Sequence, residues 1–141
     1  SAIVSSNVGD GFIIKHEDMF AQTRSGKKII NLKTGVFANC LKNIEGDAIA
    51  SIGTNRKLLI FKIEELPVLN RGKGVRLQKF KDATLSDITS FELETGLIWF
   101  DKSGRKKVEN NFENWLGKRA QSGKIAPKNF PKNNMFNTIQ K

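Results

Sequence analysis

Residues that carry chemistry are scarce in this chain. Its 141 residues include no tyrosine, one cysteine and one histidine. A tyrosine nucleophile is therefore absent, and Cys40 alone cannot close an internal disulfide, which is typical of a reducing compartment. His16 and Cys40 are too few to form a zinc site of Cys and His ligands, and we interpret Cys40 as a small core residue.

Long apolar runs are also absent. No stretch approaches the roughly 20 apolar residues that cross a bilayer, so no membrane partner is expected. The sequence has neither an initiator Met nor a secretory leader pattern, and we expect it to be a piece of a longer protein. With 38% hydrophobic residues, the chain is long and apolar enough for about one domain with its own core.

Motifs of catalysis and nucleotide binding are incomplete. Gly9-Asp10-Gly11 begins like a dinucleotide-binding loop, but Ile14 stands where the third glycine belongs. Arg71-Gly72-Lys73-Gly74 lacks the first glycine and the Lys-Ser/Thr ending of a phosphate loop. No nucleophile motif accompanies His16. We therefore predict no catalytic residue, no metal site and no cofactor in this chain.

Acidic residues are few, and the positive charge is uneven. The chain has 24 basic and 14 acidic residues, for a net charge of +10. Residues 95–141 alone hold 10 basic and 3 acidic residues. A solvated surface would be the plain interpretation, but clustered positive charge favours a nucleic-acid partner.

A repeat of about 47 residues organises the chain. Phe12-Ile13-Ile14-Lys15 matches Leu59-Ile60-Phe61-Lys62 at a shift of 47, and Arg56-Lys57 returns as Arg105-Lys106 after 49. Strand repeats of this length are typical of propeller blades, so we predict an all-β fold of about three blades. Three blades do not close a ring, which leaves an open arc or, as we favour, the end of a longer array. The predicted units are 1–47, 48–95 and 96–131, followed by a polar tail at 132–141.

Alternating or apolar segments separated by turn signals predict the strands. They are Gly11–Ile14, Lys28–Leu32, Ala48–Ile52, Leu58–Ile63, Val75–Phe80 and Leu97–Phe100. One short helix is predicted at 111–119, because Asn111 is a suitable N-cap and Phe112, Trp115 and Leu116 follow at helical spacing.

The stretch from Arg71 to Lys81 is the strongest candidate for a polyanion site. It has five basic residues, no acidic residue and two glycines. We expect Val75, Leu77 and Phe80 to anchor it while its cations face solvent. Basic residues recur at the corresponding turns of the other units, which would make a curved track that favours bent duplex DNA. The predicted DNA-binding residues are Arg24, Lys27, Lys28, Arg56, Lys57, Arg71, Lys73, Arg76, Lys79, Lys81, Arg105 and Lys106.

Aromatic residues decide between duplex and single-stranded nucleic acid. Trp99 and Trp115 lie in apolar surroundings and are expected to be core residues. Phe80 is the one aromatic residue placed between two lysines, where it could stack on a base. Duplex DNA is therefore the favoured partner. An RNA-binding β module and a protein-interaction module with a basic rim are the alternatives.

Two segments resemble a known family. These are Leu58-Leu59-Ile60-Phe61 through Arg71-Gly72-Lys73-Gly74-Val75-Arg76, and Trp115-Leu116-Gly117 through Phe130-Pro131. They are similar to the C-terminal domain of the ParC-like A subunit of DNA topoisomerase IV, of the alphaproteobacterial type. The resemblance implies a β-pinwheel, a propeller-like ring of about five blades, of which this chain would hold the last three.

The resemblance also implies a function and partners. In that family the domain binds and bends duplex DNA and steers the transported segment for decatenation and supercoil relaxation. Cleavage belongs to a tyrosine in the N-terminal part of the same polypeptide. ATP and Mg²⁺ act through other domains, with ATP handled by the B subunit of topoisomerase IV. The implied partners are duplex DNA, the B subunit and a second copy of the A subunit, in the bacterial cytoplasm at the nucleoid.

One difference separates the chain from the related gyrase subunit. Gyrase has a Gln-Arg-Arg-Gly-Gly-Lys-Gly box that supports DNA wrapping, and the nearest match here is the shorter Asn70-Arg71-Gly72-Lys73-Gly74. The resemblance therefore favours topoisomerase IV, without chiral wrapping of the gyrase kind.

Overall fold

Strands dominate the computed structural model, which describes residues 1–26 and 28–136. In this part of the chain there are ten strands, one α-helix and one 3₁₀ helix at Ile63–Glu65. The α-helix is α1 (His16–Arg24). The strands are β1 (Ala2–Ser6), β2 (Asp10–Ile14), β3 (Ala38–Asn43), β4 (Ala48–Gly53), β5 (Lys57–Lys62), β6 (Val75–Arg76), β7 (Leu85–Phe91), β8 (Leu97–Phe100), β9 (Lys106–Glu109) and β10 (Lys124–Ile125).

Two four-stranded sheets share one topology. The first has the order β3-β1-β2-β6, the second β7-β4-β5-β10, and β8 and β9 form a two-stranded third sheet. Corresponding strands begin 46 to 49 residues apart, in agreement with the sequence repeat. Each four-stranded sheet takes its last strand from farther along the chain, so consecutive units interlock. The division at residues 47 and 95 stays a prediction, because β6 and β10 lie beyond the unit whose sheet they complete.

The three hairpins are built in the same register. The residue pairs Ser5–Gly11, Ile52–Leu58 and Phe100–Lys106 face each other next to the turns. Gly9, Arg56 and Gly104 occupy the same turn position, each with a positive φ. Arg56 therefore corresponds to Gly104, and Lys57 corresponds to Arg105, one residue away from the match that the sequence suggested.

Alternation along the strands produces layered cores. Ile3 and Ile13 on the first sheet pack against Ile49, Leu59 and Phe61 on the second. The opposite face of the second sheet packs on Leu97 and Trp99 of the third sheet and on Phe130 and Phe136. Both four-stranded sheets are thus covered on a face by the next sheet, as successive blades are. The all-β prediction is confirmed.

The helix predicted at 111–119 is wrong. This segment makes a single turn at 113–115 and then runs beside β5, where Ile60 accepts the N–H of Gly117 and donates its own N–H to Trp115. Pairing with the strand satisfies backbone groups that a helix would satisfy internally, and a glycine inside the segment weakens the helical alternative. The helix lies instead at His16–Arg24, where Glu17 and Asp18 in its first turn suit the helix dipole.

The predicted strands are partly correct. Val75–Phe80 continues as a strand only to Arg76, because Leu77 turns into the core. Lys28–Leu32 forms a single bridge, between Ile30 and Gly72. The sequence pattern does not predict strands β1, β3, β7, β9 and β10, in which serine, asparagine or lysine interrupts the apolar pattern. Within the described residues, no helix has the length and apolar character needed to cross a membrane.

Candidate nucleic-acid interface

The segment from Arg71 to Lys81 lies on the edge of the first sheet, where β6 pairs with β2. Gly74 has φ +83, and a Cβ there would overlap the backbone of Gly11, so glycine permits this close approach. Leu77 is fully buried, as expected. The five cations of the segment are all exposed, and Lys73 makes a 3.9 Å ion pair with Asp10. The predicted alternation of anchors and outward charges is therefore present.

Gln78 is a buried polar residue within this basic segment, and the sequence did not single it out. Its Oε1 accepts a 2.7 Å hydrogen bond from the Ser51 hydroxyl. Its Nε2 donates to the carbonyls of Lys57 and Ser122, both at 2.9 Å. Gln78 therefore ties the basic segment to the second sheet. Glutamine is usually exposed, so composition and periodicity contain no signal of this role.

Phe80 is half-buried between two hairpin turns. A Cβ on Gly9 or on Gly53 would overlap its ring. The glycines of both turns thus leave room for the ring, which packs against them. Phe80 is consequently a structural contact of the turns and a poor platform for base stacking, which keeps duplex DNA as the better candidate.

A second basic segment, residues 118–124, lies beside the first. Ala120 donates its N–H to the carbonyl of Leu77, and Lys79 donates its N–H to the carbonyl of Gln121, at 2.8 and 3.0 Å. Lys79 and Lys124 line one surface groove. Lys118, Arg119 and Lys124 are not among the predicted site residues, although the positive excess after residue 95 points to their region.

Arg119 connects the two basic segments. Its guanidinium donates to the carbonyl of Arg76 at 2.8 Å and to that of Glu65 at 3.0 Å. The carboxylate of Glu65 in turn accepts the backbone N–H of Arg119 at 2.8 Å. Because these bonds hold the end of β6, Arg119 positions Arg76 and adds positive charge at the same edge.

The first predicted basic turn comes close to the second. Asn31 donates its N–H to the carbonyl of Gly72, and Gly72 donates its own N–H to the carbonyl of Ile29. This pairing brings the segment after Lys28 against the Arg71 end of the basic segment. Arg24, at the end of α1, and Lys28 are both exposed. Lys27 lies outside the described residues.

Arg56 and Lys57 serve the fold where the hairpin β4–β5 turns. The Arg56 guanidinium donates to the carbonyls of Phe130 and Pro131 at 3.0 and 2.9 Å, and to the Asn134 side chain at 3.1 Å. Lys57 pairs with Ile125 of β10 and is half-buried. Both remain predicted DNA ligands, but both terminal nitrogens of the Arg56 guanidinium already donate hydrogen bonds within the fold.

Arg105 and Lys106 are exposed on the third hairpin. The turn is held by Asp101, whose carboxylate accepts the N–H groups of Arg105 and Ser103, both at 2.9 Å. These hydrogen bonds, with Lys107 nearby, hold the pKa of Asp101 below its ordinary value. Asp101 therefore stays ionised and keeps the turn in shape.

Cys40 is a half-buried residue against the core between the two larger sheets. Burial, with the nearby Asp87 carboxylate, raises the pKa of its thiol to about 11. The thiolate is therefore scarce at neutral pH. Within residues 1–26 and 28–136, no three His, Cys, Asp or Glu residues lie together as a metal site would require.

Sequence relatives of this chain share one name. The chain is 45% identical over 134 residues to the A subunit of DNA topoisomerase 4 of Rickettsia bellii, and 42% identical over 134 residues to that of Caulobacter vibrioides. Each match covers 95% of this chain and 18% of the relative. The chain thus spans about a fifth of the length of these curated relatives. No family model matches the chain.

Solved structures with the same fold come from the same group of proteins. The E. coli ParC C-terminal domain superposes with a TM-score of 0.73 at 23% identity, over 90% of this chain and 56% of that one. A DNA gyrase A C-terminal domain gives a TM-score of 0.66 at 18% identity, over 92% and 45%. The predicted resemblance is confirmed: over nearly all of its residues this chain is a homologue of the A subunit of DNA topoisomerase 4, with the β-pinwheel fold of the C-terminal domain.

Proposed function

We propose that this chain is a non-catalytic duplex DNA-binding and DNA-bending domain of a type IIA topoisomerase. The observation that carries the proposal is the pairing of two basic segments, 71–81 and 118–124, through backbone hydrogen bonds. Long cationic side chains on a rigid edge suit phosphate contacts, which require charge and reach but no fixed order.

The location of the basic segments supports bending. Segment 71–81 crosses from the edge of the first sheet to the second, where Gln78 holds it. A duplex that follows it would meet charges on successive sheets whose planes differ in orientation, because packed sheets twist relative to each other. The added phosphate contacts would offset the cost of bending, which is on the order of a few kcal/mol.

The rest of the proposal concerns the longer protein. Strand cleavage, ATP binding and Mg²⁺ binding would reside in other domains, and this domain would steer the transported segment for decatenation and relaxation. The proposed partners are duplex DNA, the B subunit and a second copy of the A subunit, in the bacterial cytoplasm at the nucleoid. Nothing in this domain is proposed to bind a cofactor.

The test is a titration of a labelled duplex of about 30 base pairs across about 0.05 to 0.3 M salt. About five phosphate contacts predict a slope of log affinity against log salt of roughly −4 to −5. We choose the double variant Arg71→Gln/Arg76→Gln, because both side chains are exposed. It should lower the steepness of the slope by about 2 and weaken binding at least about tenfold near physiological salt.

The matched control is Lys15→Gln/Lys62→Gln, which removes the same charge. Both lysines are exposed and lie at the strand ends away from the hairpin turns. Equal losses in both variants would reduce the effect to net charge, and binding that ignores salt would contradict the proposal. Urea unfolding midpoints that stay unchanged would exclude misfolding as the cause.

Two further measurements separate the alternatives. Energy transfer between dyes on the two ends of the duplex should rise on binding if the DNA bends, and an unchanged signal would leave binding without bending. Competition by structured RNA at equal strength would favour the RNA-binding alternative. Capture of a protein partner that survives nuclease treatment, with no duplex binding, would favour the protein-interaction alternative.

A further inference from the structure

The two ends of the stack of sheets expose apolar residues whose counterparts inside the stack are buried. On the first sheet, Leu41 is 56% exposed, whereas Ile88, which holds the same register position on the second sheet, is fully buried. On the third sheet, Val108 is 48% exposed, whereas its counterpart Ile60 is fully buried. Both end faces therefore have the composition of a contact between sheets.

Strand β9 of the third sheet also has an open edge. In the second sheet, Ile60 donates its N–H to the carbonyl of Trp115 and accepts the N–H of Gly117. Ile13 of the first sheet makes the same two bonds to a later segment. Val108 shares their register and points its backbone groups the same way, but in the described part of the chain no strand pairs with that side of β9. An unpaired strand edge is a template for a strand from another chain.

Residues 20–29, the donor segment, match the pattern of a segment that completes a sheet. Three residues mark the segment that completes the first sheet: one that bridges to β2, a glycine at a close backbone approach and a buried apolar anchor. They are Val68, Gly74 and Leu77. Phe20, Gly26 and Ile29 repeat this spacing 48 residues earlier. Among the described residues, no sheet receives the donor segment as a strand.

The end of the donor segment is already held as its counterpart is. Ile29 accepts the N–H of Gly72, and Gly72 accepts the N–H of Asn31. Residues 77–79, which lie 48 positions later, bond in the same way to residues 120–121. Pairing of the donor segment with a strand edge therefore requires a change only before Ile29, where α1 lies.

Few contacts hold α1 in its helical form. It buries no residue, and no side chain caps its N-terminus. Met19 is partly buried against the first sheet, whereas Phe20 is exposed. A helix of nine residues is marginal without tertiary packing. The corresponding segments of the next two units bridge to β2 and β5 instead, so an available strand edge favours the extended form.

We propose that these two ends bind each other in a second copy of this chain. The donor segment of one copy pairs with β9 of the other, and the first sheet of the first copy packs on the third sheet of the second. Two copies with three sheets each bring six sheets together, within the range of about four to eight blades of closed propellers. A contact between unlike surfaces can close into a ring, so the expected assembly is a dimer with two equivalent contacts. This inference does not depend on DNA binding.

The test is sedimentation velocity on the full chain across a range of concentrations, together with circular dichroism. The unaltered chain should become dimeric as its concentration rises, and its helical signal should fall because α1 becomes extended. Leu41→Lys and Val108→Lys each place a charge in the contact and should weaken dimerisation at least about tenfold. Val68→Lys is the matched control, because Val68 is 54% exposed and lies beside β2 at neither end face. It should dimerise like the unaltered chain.

Mixing two variants distinguishes a contact between unlike ends from one between like ends. A mixture of Leu41→Lys and Val108→Lys chains retains one unaltered pair of ends, so it should form more dimer than either variant alone. Val108→Pro removes the outward N–H and keeps the bonds between β8 and β9, so it should also weaken dimerisation. Urea unfolding of the dilute variants shows whether each is folded.

Three results would overturn the proposal. One is an unaltered chain that stays monomeric at every concentration. The others are a mixture that dimerises no better than its components and a Val108→Pro chain that dimerises normally. A monomer that binds duplex DNA would leave the proposed function standing, and a dimer that binds none would leave this inference standing.

Discussion

Gln78 and Arg56 are polar side chains whose role in this protein is structural. Gln78 is fully buried and makes three hydrogen bonds that join the basic segment, β4 and the chain before β10. Arg56 joins a hairpin turn to the segment that follows β10. Both lie next to exposed cations, so the positive surface depends on a framework of satisfied polar groups beneath it.

Replacing Gln78 by methionine keeps the volume of the side chain and removes its hydrogen bonds. The Ser51 hydroxyl and the carbonyls of Lys57 and Ser122 would lose this partner in a buried place. We expect a loss of about 2 to 4 kcal/mol in the free energy of unfolding, measured by urea titration.

Gln22→Met is the matched control, because Gln22 on α1 is only half-buried and is a member of none of the core clusters. Its unfolding free energy should stay within about 0.5 kcal/mol of the unaltered chain. Equal losses of unfolding free energy in the two variants would show that the hydrogen bonds of Gln78 do not stabilise the fold.

At the scale of the element, glycines decide where the last strand of each larger sheet can lie. Gly74 and Gly123 have φ +83 and +81, and a Cβ on either would overlap the backbone of Gly11 or Leu58. These are corresponding positions, just before β6 and β10. The sheets therefore accept a strand from the following unit because glycine admits the chain at that point.

Gly74→Ala should destabilise the protein by about 3 kcal/mol or more, since left-handed backbone strain adds to an overlap with backbone atoms that cannot turn aside. Duplex affinity should fall as well, because β6 positions Arg76. Urea unfolding and the duplex titration measure the two effects.

Gly35→Ala measures the cost of the left-handed backbone conformation alone, without a steric overlap. Gly35 has the same φ of +83, but a Cβ there meets nothing within 4 Å. The substitution should cost only about 1 kcal/mol and leave duplex affinity unchanged. A cost as large as that of Gly74→Ala would mean that backbone conformation, and not close approach, explains the glycine at both places.

At the scale of the whole molecule, the sheets are joined by shared cores and by exchanged strands. Ile3 and Ile13 pack in one cluster with residues of the second sheet. Strand β6, which follows β4 and β5 in the chain, returns to pair with β2 of the first sheet. These connections couple the first and second sheets, even though the first sheet also has a cluster on its other face, where Val4, Phe12 and Ile14 pack with Ile30. We therefore expect the described part of the chain to unfold as one cooperative unit.

Two probes at opposite ends of the stack test this expectation. The fluorescence of Trp99 and Trp115 reports on the core between the second and third sheets, and the reactivity of Cys40 toward a thiol reagent reports on the first sheet. The two urea midpoints should coincide, together with that from circular dichroism. Separate midpoints would show that the sheets unfold independently.

Local sequence patterns predict more of the fold than of the site. The apolar strands β2, β4, β5 and β8 are predicted because alternation and β-branched residues are local signals. The segment 111–119 has helical spacing, but pairing with Ile60 overrides that local preference. For the site, charge predicts the exposed cations of residues 71–81. It does not predict the neighbouring segment 118–124, which meets them only through hydrogen bonds between residues more than 40 positions apart.

The sequence by itself determined the class of this protein: an all-β repeat, positively charged, with a basic segment next to glycines and a likeness to one family. Each of these follows from composition, period or adjacent residues. Only the tertiary structure decided which cations lie together, which arginine is held within the fold, and that Gln78 is buried. The reason is that burial and hydrogen bonding depend on what the rest of the chain brings to a side chain, and in interlocked sheets that partner lies in another unit.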